Sequence, residues 1–301
     1  MITKLLEKSV REACIAEARA PKPGNVHPTA SFDDLQFEDF VSAAHAIAPA
    51  IANSYHQSIG QTILDAVRAT RDQTPTNANL GIILLLAPLS KAVTLSGMNA
   101  SLLATSLDAL TVEDARLTYQ AIRLAMPGGM GKESEQDVDD EPTVTLKQAM
   151  ELAAHRDSIA RQYMTQMHDV IHFGPSLLRL AIEEAGASED EAIVWCHLHL
   201  MAKYPDSLIS RKLGEEVARE SQRRAQRIIS SLGKIVGVPT PLQHHALPPR
   251  GFLEHPLLAE FDAWLRDDGH KKNPGTSADL VAASLFVRAI EKHVPSSIAK
   301  E

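Results

Sequence analysis

The stretch SLISRKLGEEVARESQRRAQRIISSL, positions 207–232, decides the fold class. Leu, Ile, Ala, Arg, Glu and Gln recur in it at three-and-four spacing, the period of an α-helix, not the alternation of a strand. The same texture covers most of the chain, and aromatic residues, which favour strands, make up only 4% of it. The expectation is an all-α protein, a single large bundle of about ten or more helices occupying one domain, 1–301. The period places helices near 4–20, 38–52, 57–70, 80–94, 96–107, 111–125, 146–171, 176–185, 189–202, 207–232 and 277–292, with a further one near 255–265. The least regular part is 127–142, where Gly128-Gly129-Met130-Gly131 precedes an acidic run that includes Asp137, Asp139 and Asp140. It reads as an exposed connection, with a lid or a metal-attracting carboxylate cluster as the functional alternatives.

Hydrophobic residues at 44% and charged residues at 23% are the proportions of a globular protein with a core of its own. A net charge of -8 excludes a general nucleic-acid binder, so any phosphate-bearing ligand must be held locally by a few cations, backbone amides or a divalent metal. The first eight residues, MITKLLEK, are charged where an export signal needs an unbroken apolar run. The most apolar run, 80–89, is about half the length that spans a bilayer and contains Pro88, which predicts a buried helix. Cys14 and Cys196 form no metal or disulfide motif, as expected of a reducing cytoplasm. Assembly into a homo-oligomer is left open.

Five polar groups interrupt the helical texture. Pro21-Lys22-Pro23-Gly24-Asn25-Val26-His27-Pro28 is a loop stiffened by three prolines. It reads equally as a rigid helix connection or as a phosphate or ribose clamp, with Lys22 as the point charge and the Gly24 and Asn25 amides as donors. Thr76-Asn77-Ala78-Asn79 stands at the mouth of the apolar helix. One residue suffices as a cap, which leaves one of Asn77 and Asn79 for a ligand near a helix N-terminus. If 146–171 is one helix, Asp157, Arg161, Thr165, His168 and His172 share a face, as a salt-bridged surface or as a stripe facing a cavity. His168 and His172 also imitate a zinc helix, without an evident third ligand. In Tyr204-Pro205-Asp206-Ser207-Leu208-Ile209-Ser210-Arg211, Asp206 is a helix cap, a metal ligand or a base, and Arg211 a phosphate partner. Lys271-Lys272-Asn273-Pro274-Gly275-Thr276-Ser277-Ala278-Asp279-Leu280 combines a capping box with the parts of an anion site.

In order and over most of the chain, these blocks resemble the triphosphoribosyl-dephospho-CoA synthase family, with its Pro-Lys-Pro-Gly loop, Asn-rich turn, Arg-containing middle block, Asp-x-x-x-x-Ser-Arg block and closing Pro-Gly-x-Ser-Ala-Asp-Leu. The first and last blocks are the specific ones. The resemblance implies an all-helical pentosyltransferase that takes ATP, releases adenine and joins the triphosphoribosyl group through C1 to a hydroxyl of 3'-dephospho-CoA or a related acceptor, with Mg2+. It implies catalytic carboxylates among Asp157, Asp206 and Asp279, with metal at Asp206 and Asp279. Substrate and phosphate contacts are implied at Lys22, Gly24, Asn25, Asn77, Asn79, Arg161, Ser210, Arg211, Lys272, Asn273, Gly275 and Ser277. The chain departs from the family where Asn77-Ala78-Asn79-Leu80-Gly81 replaces Asn-Thr-His-Lys-Gly, and where Asp157-Ser158-Ile159 replaces Gly-Glu. A related pentosyl or nucleotide transfer, as in pterin-coenzyme synthesis, stays open, as do a metal-dependent hydrolase built on His168 and His172 with Asp157 and Asp169, and a noncatalytic binding protein. Convergence of the five blocks on one pocket separates the transferase reading from the last two.

Overall fold

The computed structural model describes residues 1–74, 79–126, 136–235 and 246–293. Among them are fourteen α-helices: α1 (Ile2–Arg19), α2 (Phe37–Ala52), α3 (Ile59–Gln73), α4 (Leu80–Lys91), α5 (Ala100–Asp108), α6 (Val112–Ala125), α7 (Leu146–Ala153), α8 (Ser158–Met164), α9 (Gly174–Glu183), α10 (Glu189–Lys203), α11 (Ser207–Leu213), α12 (Glu215–Leu232), α13 (Pro256–Arg266) and α14 (Gly275–His293). Two antiparallel pairs of two-residue strands, Val93–Thr94 with Gly97–Met98 and Lys234–Ile235 with Ala246–Leu247, are the only named strands among the described residues. The all-α expectation holds.

Three helices form the centre because they are apolar on every side. Residues 82–90 of α4 and 192–201 of α10 are buried without interruption, and α14 buries all but a few positions from Thr276 to Ile290. A helix without a polar face has to be enclosed by others. α14 accordingly packs against α1, α4, α9 and α10, while the amphipathic α2, α3, α6 and α12 lie outside this centre. One contiguous apolar cluster runs from Leu6 in α1 to Ile290 in α14. No helix of the described residues is long and apolar enough to cross a membrane.

Two expected helices are broken. Region 207–232 divides at Gly214, whose φ of +89° only glycine adopts without strain. Region 146–171 becomes α7, α8 and one wide turn at Asp169–Phe173. Asp157 is the N-cap of α8, accepting from the amides of Ile159 at 2.8 Å and Ala160 at 3.0 Å. After α8, Gln166 and Met167 adopt left-handed φ values of 51° and 59°. The single face assumed for Asp157, Arg161, Thr165, His168 and His172 therefore does not exist.

Asp206 ties two helix starts together. Its Oδ1 accepts from the amides of Leu208 (2.9 Å) and Ile209 (3.2 Å) at the start of α11, and its Oδ2 from the amide (2.7 Å) and hydroxyl (2.8 Å) of Ser277 at the start of α14. Burial raises its carboxyl above the usual range, and these same donors oppose the rise. Asp206→Ala would strand three backbone N–H groups and a hydroxyl. We expect a loss of about 2–4 kcal/mol in stability, read as a fall in Tm, with Asp206→Asn losing less because it keeps one acceptor oxygen.

Candidate active site

A cavity of about 480 Å3 opens where the ends of several helices meet. Its wall takes residues from all five polar blocks: Asn25, then Asn79 with Leu80 and Gly81, then Asp157 with Ile159, then Leu208 and Arg211, then Asn273, Gly275, Thr276 and Asp279. The helix starts of α4 and α14 both contribute to the wall, and the positive ends of their dipoles favour an anion.

The charged groups are arranged unequally. Arg211 reaches Oδ2 of Asp157 at 2.7 Å, so the cap of α8 also aims a guanidinium from α11. Lys212, whose ammonium is made more acidic by burial and then by Arg211, lies beside it in the wall. Asp279 is partly buried and accepts no hydrogen bond among the described residues. Burial, then the charges of Glu17 and Asp206, raise its carboxyl well above the carboxylate range, with Asp157 adding to this and Arg211 opposing it. A Cβ at Gly81 would lie 2.0 Å from Oδ2 of Asp279, so the start of α4 and this carboxylate fit only because position 81 has no side chain. Asn79 gives its Oδ1 to the Thr70 hydroxyl at 3.1 Å, while its buried Nδ2 has no partner among the described residues. An unused buried amide in a cavity wall marks a place for a ligand oxygen.

Several expected contacts lie elsewhere. Lys22 is 1% exposed, with its ammonium on the Glu17 carboxylate at 2.9 Å and on the carbonyls of Glu17 and Ala20, so it does not reach the cavity. Gly24 donates to Asp262 Oδ1 at 2.7 Å and accepts from Asn273 Nδ2 at 3.1 Å, which spends its amide inside the fold. The loop is thus a stiff support. It presents Asn25, whose carbonyl accepts from Arg266 and whose Nδ2 lies 3.4 Å from Nε2 of His197, a buried imidazole pushed down to about 3 by burial and then by Lys22. Arg161 stacks on Tyr204 at 4.4 Å, and Lys272 pairs with Asp267 and lies over Trp264, so neither lines the cavity. Asp206 and Ser277 are used up on each other. Ser210 faces a neighbouring chamber, and Asn77 lies outside the described residues.

The metal-hydrolase arrangement fails on geometry. Asp169 is buried on Gln162 and Lys203, Asp157 faces the cavity, and His168 stands exposed. No cluster of three His, Cys, Asp or Glu side chains able to hold a metal occurs among the described residues.

Sequence reading missed Glu17, Asp34, Lys212 and His270, all in the wall. Glu17 carried a legible signal. It shares the buried face of α1 with Val10, Ala13, Cys14 and Ala18, where a carboxylate is out of place unless paired or functional. Asp34 and His270 meet at 2.9 Å across 236 positions of sequence, a contact no local pattern encodes.

The sequence model of the ATP:dephospho-CoA triphosphoribosyl transferase family matches residues 3–298. The chain belongs to this family. A crystal structure from Archaeoglobus fulgidus, described as that of a candidate triphosphoribosyl-dephospho-CoA synthase, aligns with a TM-score of 0.60 and 24% identity over 83% of this chain and 98% of that one, which shows the fold. Comparison with curated protein sequences gave no match. The family's substrates are ATP and dephospho-CoA, and the chain is a transferase.

If the cavity holds the triphosphate, Arg211→Ala raises the Kd for ATP about tenfold or more, the value of one or two charge-assisted hydrogen bonds. Lys272→Ala, outside the cavity, leaves it within twofold. Calorimetric titration with ATP checks both.

Proposed function

We propose that this cavity carries out the family's transfer, taking the triphosphoribosyl group of ATP to dephospho-CoA with release of adenine. The observation that carries the proposal is the meeting of all five blocks in one wall that combines Arg211, Lys212, two helix starts and an uncompensated carboxylate. The reaction breaks the bond between ribose C1 and the adenine nitrogen, and adenine leaves with the electron pair. The acceptor oxygen bonds to C1, and the hydroxyl proton ends on adenine.

Arg211, Lys212 and the positive ends of the α4 and α14 dipoles hold the phosphates, and fixed charges and dipoles of this kind need little reorganisation as charge moves. The side-chain amides of Asn25 and Asn79 meet ribose hydroxyls. Asp157, held by two amides and Arg211, is the carboxylate we assign to the acceptor hydroxyl, and its proton passes through Oδ2. Asp206 takes no part in chemistry, because all its acceptor positions are filled within the fold.

Magnesium is part of the proposal. The residues fit an ion held by one or two carboxylates with phosphate oxygens completing its shell, which is the usual mode for Mg2+ and needs no cage of three side chains. Asp279 would hold it, since a cation relieves the unfavourable burial and like charges around that carboxylate. When bound, the ion neutralises charge on the triphosphate oxygens. The wall comes from one chain, so the proposal needs neither a second copy nor a second domain. The free, buried Cys14 and Cys196 accord with the reducing cytoplasm we assign to it.

Purified protein with ATP, Mg2+ and 3'-dephospho-CoA should release adenine only when the acceptor is present, as followed by chromatography. Acceptor-independent release, or none despite ATP binding, would overturn the proposal. Asp157→Asn keeps the helix cap and should hold its Tm while kcat falls about 100-fold or more. Asp279→Asn should lose the Mg2+ dependence of ATP binding measured by calorimetry.

A further inference from the structure

Beside the donor cavity lies a second chamber of about 390 Å3. α6, α7 and α8 contribute most of its wall, and Leu80, Leu84, Asp157, Ile159 and Arg211 line both spaces. The two chambers are therefore divided by the Asp157–Arg211 pair and three aliphatic side chains. Their linings differ in kind. Beyond the shared Asp157–Arg211 pair, the donor cavity gathers Glu17, Asp34, Asp279 and Lys212, whereas the second adds only Asp137 and Arg156 as charged groups to Tyr119, Ile122, Leu146, Met150 and the shared aliphatics. One polar atom in it is out of place. The hydroxyl of Thr118, fully buried in α6, has no hydrogen-bond partner among the described residues. Such a group is unfavourable unless a ligand satisfies it.

We propose that this chamber is the acceptor subsite and receives the nucleoside end of dephospho-CoA, an inference that rests on the transferase reading above. A pentosyl transfer brings two nucleotides to one carbon atom, so the acceptor needs a space of its own that opens on the donor cavity. Ligand pockets range over roughly 300–1,000 Å3, and a donor cavity of about 480 Å3 has room for one nucleotide. A largely apolar wall, whose Arg211 is paired with Asp157 and whose Arg156 is exposed, disfavours a triphosphate and suits a flat, uncharged purine. The Tyr119 ring and the guanidinium of Arg211 offer faces for it, and the Thr118 hydroxyl meets a ring nitrogen or the exocyclic amine. A base in this position carries its ribose hydroxyls to the dividing wall, where Asp157 stands. The pyrophosphate and the long arm of the acceptor remain outside the chamber.

Two substitutions test this in the full chain. Ala149→Trp fills the chamber from a partly exposed position of α7, and Thr118→Val removes the hydroxyl at constant shape. At saturating ATP, adenine release should show the KM for dephospho-CoA raised at least tenfold in the first and about fivefold in the second, the worth of one hydrogen bond. The KM for ATP should stay within twofold in both. Calorimetric binding of dephospho-CoA should weaken in parallel, and AMP should compete with the acceptor in the parent protein and lose that competition in Ala149→Trp. If Ala149→Trp does not fold, Thr118→Val decides.

Unchanged acceptor KM in a protein that turns over would overturn the subsite while leaving the transferase reading intact. A rise in the KM for ATP instead would assign the chamber to the donor's adenine. Competition by pantetheine in place of AMP would overturn the nucleoside assignment. A parent protein that neither turns over nor binds dephospho-CoA would remove the transferase reading, and the subsite with it.

Discussion

The buried carboxylate of Asp206 gathers the amides that begin α11 and the amide and hydroxyl that begin α14, and the geometry of the cavity follows from that junction. α11 carries Arg211 and Lys212, and α14 carries Thr276 and Asp279. Holding both helix starts on one side chain brings the cations and the principal carboxylate into one wall. The arrangement withstands burial of a charge because every acceptor position of Asp206 faces a donor, which offsets much of the desolvation cost. The central position of α14, packed against α1, α4, α9 and α10, then transmits this placement to the rest of the bundle.

A second tie works through α1. Lys22 leaves the loop for the protein interior and pairs with Glu17, and the neighbouring Gly24 and Asn25 are bound to Asp262, Asn273 and Arg266. The stiffness read from three prolines is thus completed by hydrogen bonds that the prolines could not supply. Its consequence is electrostatic. Glu17 is fixed close enough to raise the carboxyl of Asp279, so the cavity combines cations on one helix with excess negative charge on two others. In the proposed function, a wall of that composition receives a polyphosphate together with a divalent cation.

The cavity-lining blocks were legible in sequence because they leave a local mark. Asn25, Asn79, Asp157, Arg211, Asn273, Gly275 and Asp279 stand in loops or at helix starts, where polar residues interrupt a helical texture, and all line the cavity. Lys22, Arg161, Lys272 and Asp206 have the same appearance in sequence and turn inward or sideways, because a side chain's partner depends on elements far away in the chain. Lys212 looks like any surface lysine of α11 until the fold places it beside Arg211 and the Asp34–His270 pair.

The sequence by itself determined the helical class, since a three-and-four period with few aromatics can bury its apolar residues only as packed helices. It also determined that α4 is enclosed and that five polar segments are exceptional, and the order and wording of those segments carried the family. Only the tertiary structure decided which polar groups face one another. The break at Gln166-Met167 removed the assumed histidine stripe, and Asp206, Asp157 and Asp279 came to lie in three different surroundings. Those surroundings differ in the number of donors around each carboxylate, four for Asp206 and none for Asp279 among the described residues, and that number is set by packing between distant segments.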